Sequence, residues 1–134
     1  QIGLRGVGSG REEEMNAALQ YGANLISAYE VHDIGIEAIL QRVPSGGSFY
    51  ITVDADGMDP TVMPAVNAPT PGGLTWLQIR EFIHGIVNKG RVLGIDLVEI
   101  SPQFEKGNIT FIHAERLLCN FIGATVRADY FKDK

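Results

Sequence analysis

An α/β fold built on a parallel sheet is the class this sequence predicts. Short apolar runs alternate with amphipathic segments, the pattern of successive βα units. Acidic residues gather where two of those runs end, the place at which an open parallel sheet collects its chemistry. A chain of 134 residues, 45% hydrophobic and 20% charged, can bury one core and is neither disordered nor collagen-like. Ile2 to Arg5 reads as the first strand, followed by the turn Gly6-Val7-Gly8-Ser9-Gly10 and a helix from about Glu12 to Tyr21. Glu12, Glu13 and Glu14 suit the positive end of that helix, and Gly22 stops it. Leu25 to Tyr29 is the next strand, Ile34 to Arg42 the next helix, and Pro44-Ser45-Gly46-Gly47 the turn into a strand over Ser48 to Val53. Thr75 and Gln78 form a capping box for a helix running to about Asn88. Arg91 to Val98 is a strand apolar enough to be covered on both faces. Asn108 is placed to cap the last helix, Ile109 to about Ala124.

Composition removes several function classes. A net charge of −5 without a Lys/Arg block argues against nucleic acid and against an anionic membrane surface, and favours small cationic molecules. Cys119, the single cysteine, cannot form an internal disulfide, and the apolar runs are too short to span a bilayer. A reducing cytoplasm is the expected compartment.

The most informative stretch is Ser48-Phe-Tyr-Ile-Thr-Val-Asp-Ala-Asp-Gly-Met-Asp-Pro60, an apolar, β-branched run that empties into Asp54, Asp56 and Asp59. In an extended chain Asp54 and Asp56 point to the same side with Cα atoms about 6.5 Å apart, near enough to serve neighbouring cations. A second acidic cluster, Asp96-Leu-Val-Glu-Ile-Ser-Pro102, lies at the carboxyl end of a strand and places Glu99 just past it. Between them, Pro64 to Thr75 reads as a structureless loop of the length usually reserved for binding sites.

Three ordered motifs then resemble one family, the ureohydrolases: agmatinase, arginase, formiminoglutamase and guanidinobutyrase. Val53-Asp-Ala-Asp-Gly-Met-Asp-Pro60 is similar to the family's D-x-D-x-x-D-P signature, Pro69-Thr-Pro-Gly-Gly-Leu-Thr75 to its T-P-x-x-G-G-L-T loop, and Asp96 to Pro102 to its D-x-x-E-x-x-P ending. Gln1-Ile-Gly-Leu-Arg5 resembles a family strand as well, and agmatinase-like members are the nearest in pattern. The resemblance implies a three-layer α/β/α fold with a central parallel sheet, of which residues 1–134 are the C-terminal part of a single catalytic domain. It implies two Mn2+ ions that activate water against a guanidinium carbon, releasing urea from a small cationic guanidino substrate, in a homo-oligomer. By motif position Asp54 and Asp56 resemble metal ligands and Glu99 the carboxylate that grips the guanidinium by paired, charge-assisted hydrogen bonds. Asp59 is expected to secure the loop before Pro60. Agmatine is the expected substrate, with arginase, guanidinobutyrase and formiminoglutamase activities as alternatives.

Departures from the family pattern shape what the piece can do alone. The family's G-G-D-H-S-like and D-A-H-x-D-like motifs do not occur, and the chain opens at Gln1 inside a strand with its first methionine at Met15, so the N-terminal part reads as missing. His32, His84 and His113 match neither motif; His32 is expected in a helix-start or surface role and the others within helices. Ala68 stands where many members of the family carry Thr before the Pro, so the resemblance implies altered contacts near the substrate carboxylate. The 134 residues by themselves are expected to bind Mn2+ weakly, to be inactive and to associate through an uncovered sheet edge, so a non-catalytic fragment or assembly subunit is the reading of another class. A dinucleotide site at Gly6-x-Gly8 is disfavoured because Arg11 replaces the third glycine and three glutamates would face the pyrophosphate. A calcium loop is disfavoured because Gly57 is fourth from Asp54 and Ala65 sits where a bidentate Glu belongs.

Overall fold

In the computed structural model, which describes residues 1–6, 8 and 10–132, four strands alternate with four helices. They are β1 (Ile2–Leu4), α1 (Glu12–Tyr21), β2 (Ile26–Ser27), α2 (Ala28–Gln41), β3 (Ser48–Asp54), α3 (Trp76–Lys89), β4 (Arg91–Val98) and α4 (Ile109–Arg127). Single 3-10 turns, Ala55–Gly57 and Pro102–Phe104, follow β3 and β4. Val7 and Ser9 of the glycine-rich turn lie outside the described residues.

Pairing is parallel throughout, but it forms two separate two-stranded sheets, β1 with β2 and β3 with β4. Along the second sheet Ser48 stands opposite Arg91, Thr52 opposite Asp96 and Asp54 opposite Val98. Helices α2, α3 and α4 bury Val31, Ile39, Ile83 and Leu117 in one core with Ile51 and Val53 of β3. The other side of the pleat is open. Leu93 is 68% exposed beside a buried Val92, so β4 is covered on one face here and not on the two its composition suggested.

The second helix corrects the expected Leu25 to Tyr29 strand. Ser27 ends β2 after two residues because its side chain accepts the Glu30 N–H and starts the helix at once. Gly35, at φ 78° and ψ 165°, then breaks the helical backbone. The sequence pattern captured only the part beyond that break, hence the expected start at Ile34. Helix α1 ends as expected, with Gly22 left-handed at φ 93° and its N–H returned to the last turn. The capping box of α3 is present: Thr75 Oγ1 accepts the Gln78 N–H and Gln78 Oε1 accepts the Thr75 N–H.

The last helix is capped by a residue other than Asn108, which sits left-handed at φ 61° and makes no side-chain cap bond. Glu105 performs that task, its carboxylate accepting the N–H groups of Lys106, Gly107 and Thr110. Those bonds hold its pKa down at about 2, chiefly through Gly107.

Candidate metal centre at the carboxyl ends of two strands

β3 and β4 deliver the acidic residues to one corner. Asp54 is the last residue of β3, and Glu99 lies one residue past Val98, the partner of Asp54 on β4. Asp56 does not continue the strand, as the extended reading required. It sits in the 3-10 turn, because Asp54 Oδ1 accepts the Asp56 N–H at 3.0 Å and folds the chain back on itself. The turn therefore brings the two carboxyls together by a route different from strand alternation. Burial pushes the Asp56 carboxyl above its ordinary value, as do the Asp54 charge, a hydrogen bond to Asp54 and the more distant Glu99 charge; Arg5 opposes them. Asp96 lies within β4, as the expected strand over Arg91 to Val98 places it, and accepts the Tyr50 hydroxyl at 3.1 Å, which raises the Tyr50 pKa.

Arg5 is the residue that motif reading passed over. Its Nη2 donates to the carbonyls of Asp56 at 2.7 Å, Met58 at 3.1 Å and Thr70 at 2.6 Å. One guanidinium thus joins the end of β1, the Asp turn and the Pro-rich loop through backbone oxygens. No sequence signal marked it beyond its place in the Gln1-Ile-Gly-Leu-Arg5 strand.

The loop from Asp59 to Thr75 has no helix or strand, yet it is far from structureless. Val62, Met63, Ala65 and Val66 are buried in the core. Ala65 donates its N–H to the buried Thr110 hydroxyl and accepts the Ser101 N–H, and Val66 bridges to Ile100. Asp59 Oδ1 accepts both the N–H and the hydroxyl of Thr61, while Oδ2 accepts the Gly72 N–H at 2.8 Å. Asp59 is therefore committed to the loop, and these donors, Thr61 first, hold its pKa at about 2. At Gly73 a Cβ would lie 2.5 Å from the Asp59 nitrogen and the Met58 carbonyl carbon, so two stretches of backbone touch where a side chain cannot fit.

His32 belongs to the same support. Gln78 donates from Nε2 to His32 Nδ1 at 3.1 Å, leaving Nε2–H to donate to the carbonyls of Gly72 and Gly73. His113 reaches the Val62 carbonyl through Nδ1, and His84 sits beside Arg127, its pKa lowered chiefly by burial. None of the three approaches the Asp pair through a contact of its own.

The arrangement fits one side of a hard-cation site. Two neighbouring carboxylates, one of them reluctant to ionise beside the other, offer oxygen donors and a local negative charge that a divalent cation would relieve. Among the described residues, however, no group of three or more His, Cys, Asp or Glu side chains could hold a metal ion. By itself the pair could make up only part of a coordination shell. Residues 1–123 match the family described as Arginase family.

The chain belongs to the arginase family. An agmatinase from Chromobacterium violaceum is 32% identical over 104 residues, which are 75% of this chain and 32% of that protein. A guanidinobutyrase from Pseudomonas aeruginosa is 34% identical over 134 residues, 95% of this chain and 41% of its own length. Among solved structures, the agmatine ureohydrolase of Thermoplasma volcanium superposes with a TM-score of 0.80 at 32% identity, covering 98% of this chain and 43% of that one. The arginase-like α/β fold is thereby shared, and the chain spans roughly a third to two-fifths of the length of these relatives. No helix among the described residues is long and apolar enough to cross a membrane.

Two expected results follow from the geometry of this arginase-family corner. The ordinary values of Asp59 and Glu105 are 3.8 and 4.5, and both fall to about 2 in the fold. A depressed carboxylate stabilises the native state above its unfolded pKa and loses that contribution as pH falls through the folded one. Thermal midpoints should hold down to about pH 5 and drop between about pH 4 and 2. The double variant Asp59→Asn, Glu105→Gln should start lower at neutral pH and show a shallower acid slope. The second concerns Glu99, a non-glycine residue at φ 62°. The left-handed region costs an L-residue about 1–2 kcal/mol, whereas the extra freedom of glycine in the unfolded chain costs about 0.5–1 kcal/mol. Glu99→Gly should therefore melt no lower than the parent chain, a result that calorimetry can check and that an ordinary strand-end glutamate would not give.

Proposed function

We propose that residues 1–134 carry the carboxylate side of a metal-dependent amidinohydrolase that cleaves a guanidino C–N bond and releases urea, with agmatine as the substrate and Mn2+ as the cation. The observation that carries this reading is the placement of Asp54 and Asp56 in one turn at the end of β3, with Glu99 past the end of the adjacent parallel strand and near enough for its charge to act on Asp56. Family membership and relatives named agmatinase and guanidinobutyrase support it. Asp54 and Asp56 would hold the cations, for which oxygen donors favour Mn2+ over Zn2+. When bound, a pair of such ions supplies a nucleophilic water at neutral pH. Glu99, held in a strained backbone just beyond the pair, would accept paired hydrogen bonds from the planar guanidinium and fix its carbon towards them. Asp59, Arg5 and His32 touch no substrate in this scheme; they hold the two loops in register. We assign the whole enzyme to a reducing cytoplasm and to a homo-oligomer, with neither nucleic acid nor membrane as a partner.

The test is a chimera in which residues 1–134 replace the corresponding stretch of the Chromobacterium violaceum agmatinase. With Mn2+ supplied, urea should be released from agmatine faster than from arginine or guanidinobutyrate. A folded chimera that yields no urea from any guanidino compound would sink the proposal. The isolated 134 residues, with two carboxylates and no third ligand among those described, should release none.

A further inference from the structure

Helices α3 and α4 pack against one another, and the seam between them is lined by cations. Arg80 and His84 stand one turn apart on α3, while Arg116, Asn120 and Arg127 recur on α4 at spacings that share one face. Contacts cross the seam at two levels: Arg80 Nε donates to Asn120 Oδ1 at 3.3 Å, and Arg127 Nη2 donates to His84 Nδ1 at 3.4 Å. Arg127 lies back over Gly123, where an added Cβ would be 3.9 Å from its Nη1. Arg116, whose carbonyl accepts the Asn120 amide at 2.8 Å, stands exposed beside them.

Nothing acidic answers these charges. Among the described residues two ion pairs form, Arg42 with Glu30 and Lys132 with Asp129, and neither belongs to the seam. Helical spacing supplies none either, since no Asp or Glu stands three or four residues from Arg80, Arg116 or Arg127. With 16 acidic residues against 11 basic ones, the chain is not short of carboxylates to place there. His84 registers the same imbalance. Burial lowers its pKa first and the Arg80 charge next, Arg127 adds to them, and Asn120 alone opposes. Because Nδ1 accepts from Arg127, the neutral ring carries its proton on Nε2, a buried atom with no hydrogen-bond partner among the described residues. An anion would supply both the charge and the acceptor that the seam lacks.

We propose that the seam between α3 and α4 is a binding site for a phosphate group, held by the guanidinium groups of Arg80 and Arg127, with Arg116 at the rim and the imidazole of His84 beneath. A guanidinium fork meets phosphate oxygens in pairs, and two forks approaching from two helices suit an anion with several oxygens. A phosphate dianion offsets two of the three arginine charges, whereas a single carboxylate offsets one. The site goes beyond the proposed reaction, whose substrate is a cation and whose residues belong to β3, β4 and the turns that follow them.

The experiment titrates the 134-residue chain calorimetrically with inorganic phosphate and, separately, with glycerol 3-phosphate, at constant ionic strength so that general screening stays the same. One-to-one saturation is expected, and the tighter of the two ligands tells whether the source is the free anion or a phosphate ester. Arg80→Gln and Arg127→Gln should each weaken binding about tenfold or more. Lys106→Gln, which removes an exposed charge outside the seam, should leave it unchanged. Arg127 is exposed, so its variant should melt close to the parent without phosphate and gain none of the rise in Tm that phosphate gives the parent. Equal weakening by Lys106→Gln, titrations that never saturate, or succinate bound as tightly as phosphate would overturn the proposal. Urea release is not read in this experiment, so its failure and that of the functional reading are told apart.

Discussion

Replacing Asp54 with Asn in the agmatinase chimera is expected to abolish urea release and empty the metal site, whereas Asp59→Asn keeps the metal and loses stability. The two residues lie five apart in one motif, but the fold gives them different work. Asp54 ends β3, turns one oxygen to the Asp56 N–H and faces a carboxyl whose proton it helps retain. Removing its charge takes away an oxygen donor and half of the local negative charge. Loss of an outer-shell partner typically costs about 10–100-fold in metal affinity or activity; loss of a ligand should exceed that, about a thousandfold or more in kcat/KM. Asp59 spends both oxygens on Thr61 and Gly72. An amide there still accepts through one oxygen but turns an NH2 group towards a donor, so about 1–3 kcal/mol of stability is lost. Metal analysis alongside melting curves separates the outcomes, and equal metal loss in both variants would show the division of roles to be wrong.

Gly73→Ala is expected to cost heavily in folding, and its neighbour provides the control. An added Cβ at Gly73 would meet the Asp59 nitrogen and the Met58 carbonyl at 2.5 to 2.6 Å, all of it backbone. Relief requires the Pro-Thr-Pro loop to move off the Asp turn, breaking the exchange in which Asp59 N–H donates to Leu74 and Leu74 N–H donates to Gly57. Overpacking of this kind typically costs about 1–3 kcal/mol and occasionally more; the rigid neighbours place Gly73→Ala near 3 kcal/mol, a fall of about 10 °C in Tm. At Gly72 a Cβ meets nothing within 4 Å, and the penalty comes from φ 77° alone. Gly72→Ala should therefore cost only about 1 kcal/mol. Thermal melts of both variants check the pair, and equal losses would mean that the contact at Gly73 is not what fixes the loop.

What was legible in the sequence was whatever is encoded locally. β4 and the capping box of α3 declare themselves through short-range patterns, and the fold class follows from their alternation. The three acidic residues of the corner were legible as well, because chemistry-bearing side chains stand out at the end of an apolar run. Their local geometry was not. Asp54 captures a backbone N–H two residues ahead, and no hydrophobic period registers such a turn. The same applies to Glu105, which serves the last helix from outside it, and to Gly35, which hides the first part of α2. Arg5 was passed over, and His32, though rightly expected near a helix start at the surface, gave no sign of its support for the loop, because their partners are carbonyls far away in sequence, which any residue type can provide. The division of the sheet into two pairs was invisible for a related reason: periodicity reports that strands exist and says nothing about which of them touch.

Arg5 also dictates an order of events. Its bonds reach Asp56 across 51 residues and Thr70 across 65, while the Asp turn, the capping boxes and the helices close over only a few. Closing a long loop must precede the reward of the contact it brings together, so non-local contacts of this kind form late in folding. The tie between β1, the acidic corner and the Pro-rich loop is thus expected to form late and to be lost early when conditions weaken the fold. Mild heating or denaturant will disorder the carboxylates while most of the helix is still present, and far-ultraviolet dichroism will overstate how much working corner remains.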